Sequence, residues 1–379
     1  MKTRNFVYDI ILSPEDVCNL KKEQSILKKK VLLGGKLLVY GRRNTGKTSL
    51  IESIVIPEFN NNLKNCFIFH TDLLGVKDME DLSLRLFRAF ERAFEKAFPK
   101  KIIFQKMLDI IKGLRPEIAM DQQGTISVSI GGWSVNSKKP QLEKIFEQLR
   151  NLEKAGVNIL VVLDEFQDVH FIKGADAMLR NEIQHLSART SVILLGSKKH
   201  ILSKIFTSHG SPFFNWGEPV EISQIDYKEY QQYMNERFAR KSLKISLENS
   251  TYLQNLMQRI PEPINIVCAQ ILELIDSGQE ISKKHVDEAL EQVLSARKGK
   301  MEEYLSHFTE SEVEVMIAIA KAGKVTQPSG KNFTRQIKAS KPAISKIVNN
   351  FLNEAVLYKD QEFYELSDPL LTHHIKVYR

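Results

Sequence analysis

Gly41-Arg42-Arg43-Asn44-Thr45-Gly46-Lys47-Thr48 sets two glycines, a lysine and a hydroxyl at a spacing suited to cradling phosphate. Successive backbone N–H groups turned inward, with a free helix N-terminus behind them, form an anion site. Gly41 and Gly46 let the chain turn that tightly. Lys47 would neutralise β- and γ-phosphates and the Thr48 hydroxyl would bind Mg²⁺. The residues expected against a nucleotide are Gly41, Arg42, Arg43, Asn44, Thr45, Gly46, Lys47, Thr48 and Ser49. A second pattern, Leu160-Val161-Val162-Leu163-Asp164-Glu165, is an apolar run ending in two carboxylates. Asp164 would share the metal with Thr48, and Glu165 would orient and activate an attacking water. Ser197 closes another apolar run, where its hydroxyl either meets that water or the γ-phosphate, or caps the helix that follows. The catalytic set read this way is Lys47, Asp164, Glu165 and Ser197, with ATP and Mg²⁺ as cofactors.

These side chains need a parallel sheet whose strands all end on one edge. Leu37–Tyr40 and Cys66–Thr71 are apolar nearly throughout, as parallel strands buried on both faces are. Asn158–Leu163, Ser191–Ser197 and Pro219–Ile222 complete a five-stranded parallel sheet, and Asp72 falls at the ligand edge. Helices are expected from Ser13-Pro14, over Thr48–Ile56, 79–98, Gln141–Ala155, 175–188 and His200–Phe206. Phe6, Tyr8 and Ile10 alternate like a short strand. Leu82, Leu86, Phe90 and Phe94 are a packing stripe, and Asp168 reads as a cap or solvated turn carboxylate. The 99–140 stretch breaks the α/β rhythm. Ile102–Ile111 reads as helix, Gly113 and Pro116 as breakers, and Thr125–Ile130 as a strand returning through Trp133 and Val135, an inserted hairpin near 124–136.

The chain has 379 residues, 42% hydrophobic and 26% charged, with a formal charge of +8, which implies two or three domains and suits an anionic partner. No run is long and apolar enough for a membrane span, and the N-terminus lacks a signal-peptide core. Cys18, Cys66 and Cys268 fit neither a metal site nor a disulfide framework and suggest a reducing cytoplasm. Three domains are expected: a core over 1–222, a helical lid over 223–300 and a third unit over 301–379. The lid helices are Tyr227–Arg240, Leu247–Arg259, Pro263–Ile275 and Lys283–Ser295, followed by a charged connection over 296–307. In the third unit, helices over Glu310–Ala322, Asn332–Ala339 and Lys341–Glu354 (capped by Ser340) precede a strand-turn-strand over 355–366. That order makes a winged helix-turn-helix. Between Val315 and Asn353 every charged residue is basic. Lys338, Lys341, Lys346 and Asn350 are therefore the candidate contacts to double-stranded DNA.

The chain resembles the archaeal-type AAA+-related P-loop ATPases of the STAND branch, which are similar to origin-recognition initiator ATPases. The likeness rests on Gly41–Thr48, on Leu163-Asp164-Glu165-Phe166-Gln167, and on the Gly196-Ser197 strand end as sensor 1. It extends to Leu114-Arg115-Pro116-Glu117 leading into Gly124–Val128, and to Leu366-Ser367-Asp368-Pro369-Leu370. It implies an AAA+-like core, a lid that closes on nucleotide and a C-terminal winged helix. Two departures stand out. Pro261 occupies the position of a lid glycine in Ile260-Pro261-Glu262-Pro263, with Arg259 before the element, and Phe213–Gly217 holds no arginine finger. Arg180 and Arg189 are weak substitutes.

Three functions compete: an ATP-driven switch coupled to a DNA-binding winged helix, a nucleotide-gated module docking protein or a second copy, and a DNA-loading or transposition-type assembly ATPase. A GTPase is disfavoured because no Asn-Lys-x-Asp segment follows the strands.

Overall fold

The computed structural model describes residues 6–18, 20–98, 116–120, 126–130, 142–335, 337–360 and 363–379. The strands of the first unit are β1 (Lys36–Tyr40), β2 (Cys66–Asp72), β3 (Pro116–Met120), β4 (Ile126–Ile130), β5 (Asn158–Asp164), β6 (Ser191–Gly196) and β7 (Glu218–Glu221). Five of them form one parallel sheet in the order β2-β5-β6-β1-β7. Because all run one way, Gly41, Asp72, Asp164 and Ser197 emerge at the same edge; Asp72 lies in register with Asp164.

Alternate strand residues serve two cores. Phe67, Phe69, Val161, Leu163 and Leu194 pack beneath the helices Met79–Ala97, Leu142–Lys154 and Ala175–Gln184. Leu37, Val39, Val162, Ile193 and Leu195 pack on the other face, against the helix Lys21–Val31 and the helix that leaves the glycine loop. That loop helix runs longer than expected. It is α-helical over Lys47–Leu50, π-helical over Ile51–Val55 and α-helical again over Ile56–Asn62.

Several local expectations are corrected. Phe6–Ile10 forms no strand: Phe6 is buried among lid residues, 4.8 Å from the Phe238 ring, so apolar alternation here reflects anchoring rather than pairing. Ser13-Pro14 starts only a turn, the Ser13 hydroxyl donating to Asp16 at 2.8 Å, and the helix begins at Lys21. The inserted hairpin exists, but β4 pairs antiparallel with β3 upstream of it. Pro116 opens a strand there, a position where its missing N–H costs nothing. Trp133, Val135 and Ile102–Ile111 lie outside the described residues. Asp168 is buried rather than solvated.

The lid comprises the helices Tyr227–Phe238, Leu247–Leu256 and Pro261–Leu274 with the short parallel pair β8 (Lys244–Ile245) and β9 (Glu280–Ile281). A fourth helix, Lys283–Ser306, has a Ser282–His285 capping box and continues unbroken through the charged stretch expected to be a connection. Beyond it lie the helices Glu310–Ala322, Lys331–Thr334 and Lys341–Asn353, then the wing of β10 (Leu357–Lys359) and β11 (Tyr364–Leu366), then a last helix, Pro369–Tyr378. The second of these is a single turn, shorter than the 332–339 helix expected. Ser340 precedes the third without a side-chain cap, and Pro342 fills the first turn instead.

Candidate nucleotide site

Positive φ falls at Asn44 (60°) and Gly46 (84°), which turn the loop over the helix N-terminus. Gly41 has another reason to lack a side chain: a Cβ there would meet the Ile222 Cβ at 2.9 Å and the Ile222 carbonyl at 3.0 Å. Lys47 is buried and lies back over the loop, donating to the Gly41 and Arg42 carbonyls at 3.1 and 2.7 Å. Thr45 donates to the same Arg42 carbonyl at 2.8 Å. Burial pushes the Lys47 ammonium down to about 8, with Glu165 and Asp164 drawing it up and Arg43 lowering it further.

Thr48 donates to Asp164 Oδ2 at 2.7 Å, and the other Asp164 oxygen accepts the Glu165 N–H at 2.8 Å. Burial raises the Asp164 carboxyl, and the Thr48 hydrogen bond opposes it. A hydroxyl and a carboxylate in contact are hard oxygen donors of the kind Mg²⁺ takes as a partial shell, the remainder being phosphate and water. Glu165 itself sits at φ 50°, a left-handed conformation that costs a non-glycine residue of order 1–3 kcal/mol and clusters at functional sites. Its Oε2 accepts the Ser197 hydroxyl at 2.7 Å and the Gln167 amide. Ser197 thus reaches the carboxylate and caps no helix.

The structure brings Lys47, Thr48, Asp164, Glu165 and Ser197 together, while two other loop side chains are engaged elsewhere. The Ser49 hydroxyl accepts the Leu12 N–H at 3.2 Å, tying the loop helix to the N-terminal segment. Arg42 is 7% exposed and turns away from the phosphate side. It donates to Glu365 of the wing at 2.6 Å and to Gln258 of the lid at 2.7 Å, with its guanidinium 4.2 Å from the Tyr358 ring centroid. Arg43 stays exposed and lines the cavity of about 220 Å³ over the loop, opposite Pro261, Glu262 and the N-terminal segment. Sequence reasoning missed two residues. Gln167 is fully buried behind Glu165, and Asp168 pairs with Lys198 at 2.9 Å while accepting the Gly75 N–H at 2.8 Å. The only signal was their place directly after the acidic pair.

A family model described as the KAP family P-loop domain matches residues 36–210, and one described as a probable winged helix domain matches residues 300–377. The fold is that of a P-loop NTPase with a C-terminal winged helix. Among solved structures, the Walker-type ATPase PABY2304 of Pyrococcus abyssi is similar over 96% of this chain and 97% of its own, at 17% identity and a TM-score of 0.62. The ADPNP–ADP complex of the Aeropyrum pernix ORC2 protein is similar over 99% and 97%, at 14% identity and a TM-score of 0.56. No curated protein matches the sequence. These similarities show a shared fold over nearly the whole chain; no helix among its described residues is long and apolar enough to cross a membrane.

On the third unit, Lys341, Lys346 and Asn350 are exposed along the Lys341–Asn353 helix. Lys338 is exposed too, but stands 4.0 Å from Glu314, the acid just before the basic stretch. The far end of that helix meets the core, His200 lying 3.4 Å from Asn353.

Proposed function

We propose that this P-loop NTPase binds and slowly hydrolyses ATP, and that nucleotide state sets the placement of its winged helix, which binds double-stranded DNA. The observation that carries the coupling is Arg42: one phosphate-loop side chain is bonded at once to the lid and the wing. Lys47 rests on the Arg42 carbonyl, so a γ-phosphate that draws Lys47 away alters the residue that holds the wing. The reading follows the switch logic of the STAND branch, in a reducing cytoplasm that suits the free thiols.

In the reaction, a water oxygen attacks Pγ in line, the bond from Pγ to the β–γ bridging oxygen breaks, and ADP leaves with that electron pair. The water's proton passes to Glu165. Lys47 neutralises phosphate oxygens, and Thr48 and Asp164 would hold Mg²⁺, which supplies charge neutralisation when bound. Hydrolysis is slow because no arginine stands in Phe213–Gly217 to stabilise the transition state.

Glu165→Gln should keep ATP affinity within about threefold of wild type and lower single-turnover hydrolysis at least a hundredfold, on the order of a lost general base. Lys47→Ala should instead weaken ATP binding. Equal turnover by purified wild type and the Glu165 variant would end this assignment.

A further inference from the structure

A general base must keep one carboxylate oxygen within reach of the water's proton, and hydrogen bonds on the other oxygen fix where that free oxygen points. Both hydrogen bonds that the structure gives the side chain arrive at Oε2, from Ser197 and from Gln167; among the described residues Oε1 has no donor. The Gln167 carboxamide makes more than that one contact. Its Nε2 also reaches Asp168 Oδ1 at 3.3 Å, and its Oε1 accepts the Ser197 N–H at 3.2 Å. One fully buried amide therefore binds the acid and the backbone of the hydroxyl residue that shares the acid. Room for it is provided at Gly196, where a Cβ would stand 2.5 Å from Gln167 Oε1.

We infer that Gln167 is the positioning residue for water attack: it clamps Glu165 Oε2 and aligns Ser197 to do the same, leaving Oε1 to take the water's proton. The inference rests on the proposed hydrolysis and assigns a role to a residue that touches neither phosphate nor water. A carboxamide suits this position because it donates to one neighbour and accepts from another while remaining uncharged. A carboxylate there would face Glu165 and Asp168 as a third negative group.

The test is single-turnover hydrolysis and ATP affinity for Gln167→Met, Gly196→Ala and Gln167→Glu, beside wild type and Glu165→Gln. Gln167→Met keeps the length and loses all three hydrogen bonds; turnover should fall 10- to 100-fold with ATP affinity within threefold. Gly196→Ala keeps Gln167 in the sequence but presses on its Oε1, and on the Leu202 side chain at 2.7 Å; it should give the same split, which serves as a second measurement if Gln167→Met does not fold. Gln167→Glu should be poor at pH 8 and regain activity toward pH 5, where a protonated carboxyl can donate to Glu165. Its pH 5 to pH 8 activity ratio should exceed the wild-type ratio at least fivefold while ATP affinity stays within threefold of wild type at both pH values, a split that pH-dependent loss of the fold would not produce.

Turnover within twofold of wild type in folded Gln167→Met or Gly196→Ala overturns the inference. So does a proportional fall of turnover and affinity, or an unshifted profile in Gln167→Glu. If Glu165→Gln is inactive while the Gln167 variants are not, the inference alone fails. If wild type does not hydrolyse ATP, the proposed function fails and the inference with it.

Discussion

Burial holds the Lys47 ammonium down to about 8, so its charge is partly lost within an accessible pH range. The sign follows directly. Below 8 the lysine is charged and attracts phosphate; above 8 the nucleotide-free protein must first take up a proton. From pH 7 to pH 9 the charged fraction falls from about nine-tenths to about one-tenth, so ATP affinity should weaken by up to about tenfold. Titrations at pH 7, 8 and 9 in two buffers of different ionisation enthalpy would record both the weakening and the proton uptake. Affinity that stays flat across that range would mean Lys47 keeps its charge. At this scale, the glycine, lysine, hydroxyl and acid residues were legible because their spacing has few other uses. Gln167 was not, since a single amide has no spacing rule and its role appears only when β5 and β6 lie side by side. The turn of Arg42 toward Glu365 was equally illegible, because its partner is far away in sequence.

Among the elements, the buried strands were readable from their unbroken apolar runs, and the element boundaries were less so. The Lys283–Ser306 helix crosses a stretch dense in charge, yet charged residues are good helix formers, and Met301 and Leu305 continue its buried stripe. The hairpin partner was missed because proline reads as a breaker wherever it stands. For the Lys341–Asn353 helix, exposure of Lys341, Lys346 and Asn350 gives a direct prediction about nucleic acid. Duplex affinity should fall steeply with salt, and Lys341→Ala with Lys346→Ala should lower the magnitude of the log–log slope by about 2. Fluorescence anisotropy at several salt concentrations measures it. A full chain that ignores duplex at low salt, with ATP or without, would favour the protein-docking role.

Across the whole molecule, the wing is bound to the phosphate loop through a pair whose members are 7% and 4% exposed. Removing one member of such a pair leaves a buried charge and typically costs about 3–5 kcal/mol, part of which falls on the contact between domains. Glu365→Gln should therefore loosen the docked wing. Dye pairs on the core and the third unit should report a larger mean separation in the variant without nucleotide, and the variant should bind duplex more tightly than wild type. Wild type with a non-hydrolysable ATP analogue should move in the same direction. Identical separations in all three samples would show that the wing is fixed to the core whatever the loop holds.

The Lys283–Ser306 helix also sets a mechanical ratio. Twenty-four residues make a rod about 36 Å long. The lid core grips it from Val286 to Met301, and its last turn enters the third unit through Leu305. A stiff rod clamped at both ends behaves as a crank. If the lid rotates by about 10° as it closes on a nucleotide, the distal end sweeps roughly 6 Å, more than one helical rise per turn. Inserting a flexible glycine pair between Met301 and Leu305 would disconnect the crank while leaving both of its bearings in place.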